Sequence, residues 1–291
     1  MSVPAVPLGR GHGRGRWTGR AFQALLFLSL AIGFITLGTL LVDIVQKGLP
    51  YLDGILLTEP PSADPDRAGA RPAILATIYL GILLLLFTVP LGVGTAIYLE
   101  EYANKERWYN RLLEINIQNL AAVPSIVYGI LGLAFLVRGI GLGRVLLAGA
   151  LILTLLVLPT IIIAAREAIR AVPDSIRQGA YALGATQWQV VWRQVLPAAL
   201  PGIATGSILS LSRGIGETAP LLLIGALTYV AFDPTLMGSF TALPVQIFNW
   251  TKQPQDEFKL LAAAAIVVLL VILLTLNAVA IFLRNRYQKR W

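Results

Sequence analysis

An arginine and a glutamate four residues apart, Arg213 and Glu217, lie within an apolar, glycine-rich stretch, 200–230. A charge at the centre of a lipid bilayer costs about 2.5–3.5 kcal/mol on insertion scales, so such residues normally face a protein interior and serve a purpose. A spacing of four places both on one face of a helix. The guanidinium is a planar fork that can give two parallel hydrogen bonds to two oxygens of an anion. Gly214 and Gly216 would let a second helix, or the ion itself, come close. The competing reading is a structural ion pair that locks this helix to a neighbour, and the residues alone leave both open. Ser207, Ser210 and Ser212 could add hydroxyl donors, but also suit the small packing positions of helices in membranes. Pro124, Ser125, Gly129 and Gly132 divide the same way between a packed kink and direct contact with an ion.

Other chemistry is excluded by residue type. There is no cysteine, which removes disulfides, thiolate metal sites and a cysteine nucleophile together. The single histidine, His12, sits in a Gly/Arg tail, so no metal site is expected. No Gly-x-x-x-x-Gly-Lys-Ser/Thr loop occurs, so the chain is not expected to bind ATP and would have to borrow its energy. No Ser/His/Asp set or catalytic carboxylate pair stands out. Glu100-Glu101 and Asp256-Glu257 lie at the ends of apolar runs and read as solvated charges. The expectation is a chain that is not an enzyme.

The elements that must position Arg213 are membrane spans. Of 291 residues, 56% are hydrophobic and 13% charged, against roughly 25% charged in a soluble domain. The apolar residues fall in long runs. About 20 of them make a spanning helix, and six such runs are expected at 21–45, 73–99, 118–137, 145–165, 200–230 and 260–283. Basic residues favour one side: Arg10, Arg14, Arg16 and Arg20, then Lys105, Arg107 and Arg111, then Arg166, Arg170, Arg177 and Arg193, then Arg284, Arg286, Lys289 and Arg290. That side reads as cytoplasmic, with both termini inside. The net charge of +8 is thereby a topology signal; no aromatic-interleaved basic patch suggests nucleic acid. The first run is longer than a signal-peptide core and lacks a small-x-small cleavage site, so it reads as a retained anchor behind a disordered tail, 1–20.

Between the fourth and fifth runs lies a segment, 166–197, too long for a tight turn and too apolar for a loose loop. Pro173 breaks what precedes it. Ser175-x-x-Gln178 and Thr186-x-x-Gln189 are capping-box patterns. Gly184 suits the left-handed residue between two short helices, and Pro197 limits the second. Ile176, Ala180 and Leu183 make one apolar edge; Trp188, Val191, Trp192 and Val195 make another. Such a hairpin could rest on lipid headgroups or dock a partner, and the residues leave that choice open.

The segment resembles the EAA loop of ABC importer permeases, Glu-Ala-Ala-x-x-x-Gly, nine residues, then Ile-x-Leu-Pro. Here it reads Gln178-Gly179-Ala180, then Gly184, then Gln194-Val195-Leu196-Pro197. Gln178, Gly179 and Gln194 depart from the pattern, and the first removes a charge that could pair with an ATPase. Three further stretches are similar to the phosphate permeases of the Pst system: Val123-Pro-Ser-Ile-Val-Tyr-Gly-Ile-Leu-Gly-Leu133, Ser212-Arg213-Gly-Ile-Gly-Glu217-Thr-Ala-Pro-Leu-Leu222 and Ala242-Leu-Pro-Val-Gln-Ile-Phe-Asn-Trp250. The Glu-Thr-Ala-Pro-Leu-Leu run looks like the PstA-type subunit.

The resemblance implies an all-α, polytopic fold of six transmembrane helices, the type I ABC importer (MetI-like) permease fold. Its parts would be a tail 1–20, a first helix and external loop 21–72, a core 73–283 holding the coupling loop 166–197, and a tail 284–291. It implies a permease subunit of a phosphate importer in a bacterial inner membrane. MgATP would be bound by a PstB-like partner, with no cofactor on this chain; a PstC-like second permease and an external PstS-like binding protein would complete the assembly. Arg213, Glu217, Ser212 and Ser125 would line the path. Ser175, Gln178, Ala180, Leu183, Gly184, Ala185 and Trp188 would couple to the ATPase. Permeation of another oxyanion such as sulfate or molybdate, an ion-coupled secondary transporter or channel, and a scaffold without transport are the alternatives.

Overall fold

The computed structural model describes residues 14–287 apart from 105, 227 and 228. Most of the expected N-terminal tail, His12 included, therefore lies outside the described residues, as do Lys105, Lys289 and Arg290. Among the described residues there is no strand. Five long apolar helices carry spans: α1 (Arg14–Gly48), α3 (Arg71–Ile97), α6 (Leu146–Arg170), the continuous rod Gln187–Ile215 that opens with α8 (Gln187–Val190), and α12 (Asp256–Tyr287). A sixth span is a bent pair, α4 (Trp108–Ala121) and α5 (Ser125–Gly132), with α5 continued by a π-helical stretch to Gly139. Short helices fill the connections: α2 (Gly54–Thr58), α7 (Asp174–Ala182), α10 (Ala219–Ile224) and α11 (Leu243–Thr251).

The expected third span, 118–137, is not one straight helix. It turns by 105° between Ala121 and Ser125. Pro124 has no N–H to give and pushes Val123 out of helical geometry, so Pro124 caps a new helix instead of continuing the old one. The Tyr128 hydroxyl donates to the Leu120 carbonyl at 2.8 Å, adding to the 3.1 Å bond which that oxygen accepts from the Val123 N–H at the break.

The expected fifth span, 200–230, is also corrected. Its helix starts earlier, at Gln187, and stops at Ile215. Pro197 does not end it. A π-helical turn, Val191–Val195, precedes the proline, and the Leu196 N–H reaches back five residues to the Val191 carbonyl. The rod continues as α9 (Leu196–Ile215) with Pro197 at its start, the π turn shifting the hydrogen-bond pattern just before the residue that has no N–H to give. After Gly216 the chain breaks, restarts at Ala219 with Pro220 in the first turn, and ends α10 at Gly225 with φ of 89°.

α6 is the axis of the core, buried along most of its length between α3 and α9. α9 packs antiparallel to it through small residues. A Cβ at Gly202, Gly206 or Gly214 would lie 2.7, 2.4 or 2.6 Å from Ala168, Ala164 or Val157 respectively. This is the close approach that small residues permit where lipid supplies no hydrophobic drive between helices. α1 stands apart and packs on α12, where Gly48 lies against the backbone of Ala263. Its apolar side chains are otherwise uncovered.

Candidate functional site

The depth of Arg213 follows from its neighbours. Gly214 touches Val157 and Leu84, which fall near the middle of α6 and α3. Arg213 thus sits halfway along the spans, in the last turn of α9, where a cation complements the helix dipole. Its Nε lies 3.7 Å from Glu217 Oε1, within ion-pair reach but beyond a hydrogen bond. The two are not on one continuous helix face, because Gly216 ends the helix and Glu217 follows the break. Glu217 is largely buried, with 19% of its side chain accessible, whereas 64% of the Arg213 side chain is uncovered.

The two broken spans meet. α5 and α10 both begin at their breaks, and a Cβ at Gly129 would lie 2.8 Å from the Pro220 Cα. Gly132 fits against Ile152 in the same way, so these glycines serve packing. Irregular backbone at membrane depth is tolerated where protein buries it or where it lines an aqueous cavity. Ser125 opens α5, half-buried, with no hydrogen bond to Arg213 or Glu217 among the described residues. Ser212 does not join Arg213 either. Its hydroxyl lies 2.8 Å from the Ile208 carbonyl and 2.5 Å from Asn277 Oδ1, tying α9 to α12.

At one end of the bundle α7 and the start of the rod form the expected hairpin. Gly184 has φ of 81°, and the amides of Gly184 and Ala185 bond back to Tyr181 and Ala180, a Schellman ending. Thr186 and Gln189 form the reciprocal capping box. The box expected at Ser175 does not form. Pro173 is the cap, with no side-chain bond, and the helix starts one residue earlier at Asp174. Ser175 therefore lies inside the first turn. The first apolar edge divides. Ile176, Ala180 and Ala185 pack on the core beneath, whereas Leu183 is 90% exposed. The second divides too: Val191 and Val195 are buried, while Trp188 and Trp192 are uncovered with rings 5.0 Å apart. Gln178 is exposed. The outer surface is thus apolar and bare at Tyr181, Leu183 and Trp188. Beside it runs a cleft of about 270 Å³ lined by Ser175, Ala180, Leu183 and Gln194.

The Glu100-Glu101 pair is corrected from solvated to buried, with only 4% and 8% of the side chains exposed. A π-helical turn, Tyr98–Tyr102, ends the second span and carries them inward. Arg166 donates from Nε to Glu100 at 2.9 Å and from Nη2 to Glu114 of α4 at 2.8 Å. Arg170 adds a 2.8 Å contact to Glu100. Arg177, on α7, donates to Glu101 at 2.8 Å and to the carbonyls of Ile169 and Val172. Breaking such a buried pair typically costs about 3–5 kcal/mol, because one charge is left uncompensated. Asp256 is exposed as expected and pairs with Lys259 in the first turn of α12.

At the opposite end, Trp250 is buried with Leu56 and Phe258, not seated at an interface as its type suggests. α11 carries it beside a cleft of about 510 Å³ lined by Tyr229, Gln246, Lys252 and residues 61–63.

Residues 88–291 match the family described as binding-protein-dependent transport system inner membrane component. A phosphate transport system permease protein PstA from Yersinia pestis is 34% identical over 281 residues, 93% of each chain. PstA 1 from Mycobacterium tuberculosis (strain CDC 1551 / Oshkosh) is 33% identical over 216 residues, 74% of this chain and 70% of that one. Among solved structures, a bacterial alginate ABC transporter aligns with a TM-score of 0.67 at 18% identity, covering 95% of this chain and 98% of that chain. The MetNI methionine ABC transporter aligns with a TM-score of 0.58 at 17% identity, covering 75% and 94%. Both likenesses show the ABC importer permease fold for this chain, the first over nearly its whole length and the second over three quarters of it. The sequence relatives narrow the family further: this chain belongs to the inner membrane components of binding-protein-dependent transport systems, in their PstA-type permease branch.

Proposed function

We propose that this chain is the transmembrane permease subunit through which an ATP-driven importer moves inorganic phosphate. The observation that carries the reading is Arg213: a guanidinium halfway along the spans, at a helix end, left mostly uncovered by its own chain. In a bilayer it needs a polar path or a second protein surface. Two such chains facing each other would supply both. Glu217 holds one edge of the guanidinium at 3.7 Å, a contact loose enough for an oxyanion to displace. Fork geometry then favours two oxygens of one phosphate.

The bare hairpin face at Leu183 and Trp188 would dock a PstB-like subunit, with Gln178, Gly184 and Ala185 shaping it. That partner would bind and hydrolyse MgATP. On this reading the hairpin and both termini lie on the cytoplasmic side of a bacterial inner membrane, which the distribution of basic residues supports. A PstC-like permease would complete the path. A PstS-like binding protein would deliver phosphate to the opposite face, where 232–258 forms its seat; exchanging that segment should weaken the delivery.

The test is uptake of radiolabelled phosphate by the assembled complex in proteoliposomes. Uptake should need ATP, resist excess sulfate, and fall at least about tenfold in Arg213→Ala, the loss expected when one charge-assisted contact of about 1.5–3 kcal/mol is removed. Uptake that survives the substitution would make Arg213 a structural partner of Glu217. ATP-driven uptake of sulfate or molybdate instead of phosphate would keep the importer and change its cargo.

A further inference from the structure

α7 has no fully buried side chain. Its apolar residues Ile176 and Ala180 rest half-buried on the core beneath. Apolar contacts of this kind are non-directional, so they allow sliding. What fixes α7 is a set of directed bonds from one side chain. Arg177 holds Glu101 through Nε at 3.2 Å and Nη2 at 2.8 Å. It also holds the Val172 carbonyl at 2.6 Å and the Ile169 carbonyl at 3.0 Å. One guanidinium thus joins the hairpin to the end of the second span and to the end of α6. The other hairpin helix reaches the same place, because the Gln187 side-chain amide donates to the Glu101 backbone carbonyl. The neighbouring Glu100 is gripped from α6 by Arg166, which also reaches Glu114 on α4. Hairpin, second span, third span and fourth span therefore converge on two adjacent carboxylates.

We infer that the Arg177–Glu101 contact is the strut that carries hairpin movement into the membrane spans, making Arg177 and Glu101 positioning residues for coupling. The inference rests on the importer reading above. The planar guanidinium bonds one Glu101 oxygen, Oε1, and two backbone carbonyls at once, and directed bonds in several directions resist rotation as well as translation. A push on the exposed face of α7 is thereby delivered to α3 and α6 together, and through the glycine-packed face of α6 to α9 and Arg213. Without the strut, α7 would slide on its apolar contacts and the push would be lost.

The chain has no cysteine, which permits a test within one protein. Glu101→Cys and Arg177→Cys are combined and the complex is purified with its ATPase and reconstituted. The two thiols are then joined by a short thiol-reactive linker that reductant releases. Phosphate transported per ATP hydrolysed is measured before linking, after linking and after reduction. The single-cysteine variants, treated alike, control for labelling elsewhere. Before linking, hydrolysis should continue while transport per ATP falls about tenfold, within the range seen when residues that couple two sites are altered. Linking should restore the ratio and reduction should remove it again. A ratio that does not respond to the linker, whether high or low throughout, overturns the strut. Failure of the unmodified complex to take up phosphate with ATP would instead remove the importer reading, so the two failures are distinct.

Discussion

Arg166 and Arg213 carry the same side chain into opposite surroundings. Arg166 is 7% exposed between two carboxylates, one of which, Glu100, is itself buried; Arg213 is mostly open with a single loose partner. Removing the first leaves Glu100 buried with less to balance it, so Arg166→Ala should lower unfolding stability by about 3–5 kcal/mol. Removing the second should move stability by no more than about 0.5 kcal/mol, as for an uncovered position away from packed features. Denaturant unfolding of both variants in detergent, followed by tryptophan fluorescence, checks the contrast. Equal losses would mean that Arg213 is held as firmly as Arg166 and has no freedom to take an ion. The placement of Arg213 and Glu217 within a span was legible in the sequence because charge inside an apolar run is conspicuous at any distance. The Glu100–Glu101 network was not. Its partners lie 66, 52 and 76 residues apart along the chain, and adjacent glutamates at the end of an apolar run look the same whether wet or buried. The useful signal was the cluster Arg166, Arg170 and Arg177, too dense for a surface that needed only a topology bias.

The hairpin shows how much of an element local chemistry can announce. Gly184 and the Thr186 box were readable, since each depends on residues within three or four positions. The Ser175 box failed for an equally local reason: Pro173 already fixes the backbone at the helix entrance, and the helix begins at Asp174 without a side-chain cap. Gly184→Val should disfavour the left-handed ending by about 1–2 kcal/mol or more. It should turn Leu183 and Trp188 away from each other. The expected readout is a permease that folds and inserts but no longer co-purifies with the ATPase subunit proposed to dock there. Unchanged co-purification would show that docking does not depend on the hairpin's shape. The breaks at Pro124 and Gly216 were harder to read. A proline or glycine within an apolar run is compatible with a bent helix, and only the packing of α5 on α10 decides that both helices stop and restart.

At the scale of the whole molecule, six spans were legible from apolar run length, and the correction fell on continuity within two of them. The bundle is unfinished when alone. Among the described residues α1 packs mainly on α12, and the Arg213 side chain is left mostly uncovered. The isolated permease in ATP-loaded vesicles should therefore show no phosphate uptake above empty vesicles, with activity appearing only on reconstitution with the ATPase and second permease. Uptake by the chain alone would revive a secondary transporter or channel. One further consequence belongs to the π-helical turn at Val191–Val195. An α-helix advances about 100° per residue, and a turn closed over five residues holds one residue more than its neighbours. The hairpin and Arg213 are thus mounted on a single shaft but keyed at different angles. The compass bearing of the exposed tryptophans relative to the guanidinium is set by that one extra tooth, so the length of this turn, and not only its composition, is part of how the two ends of the molecule are aligned.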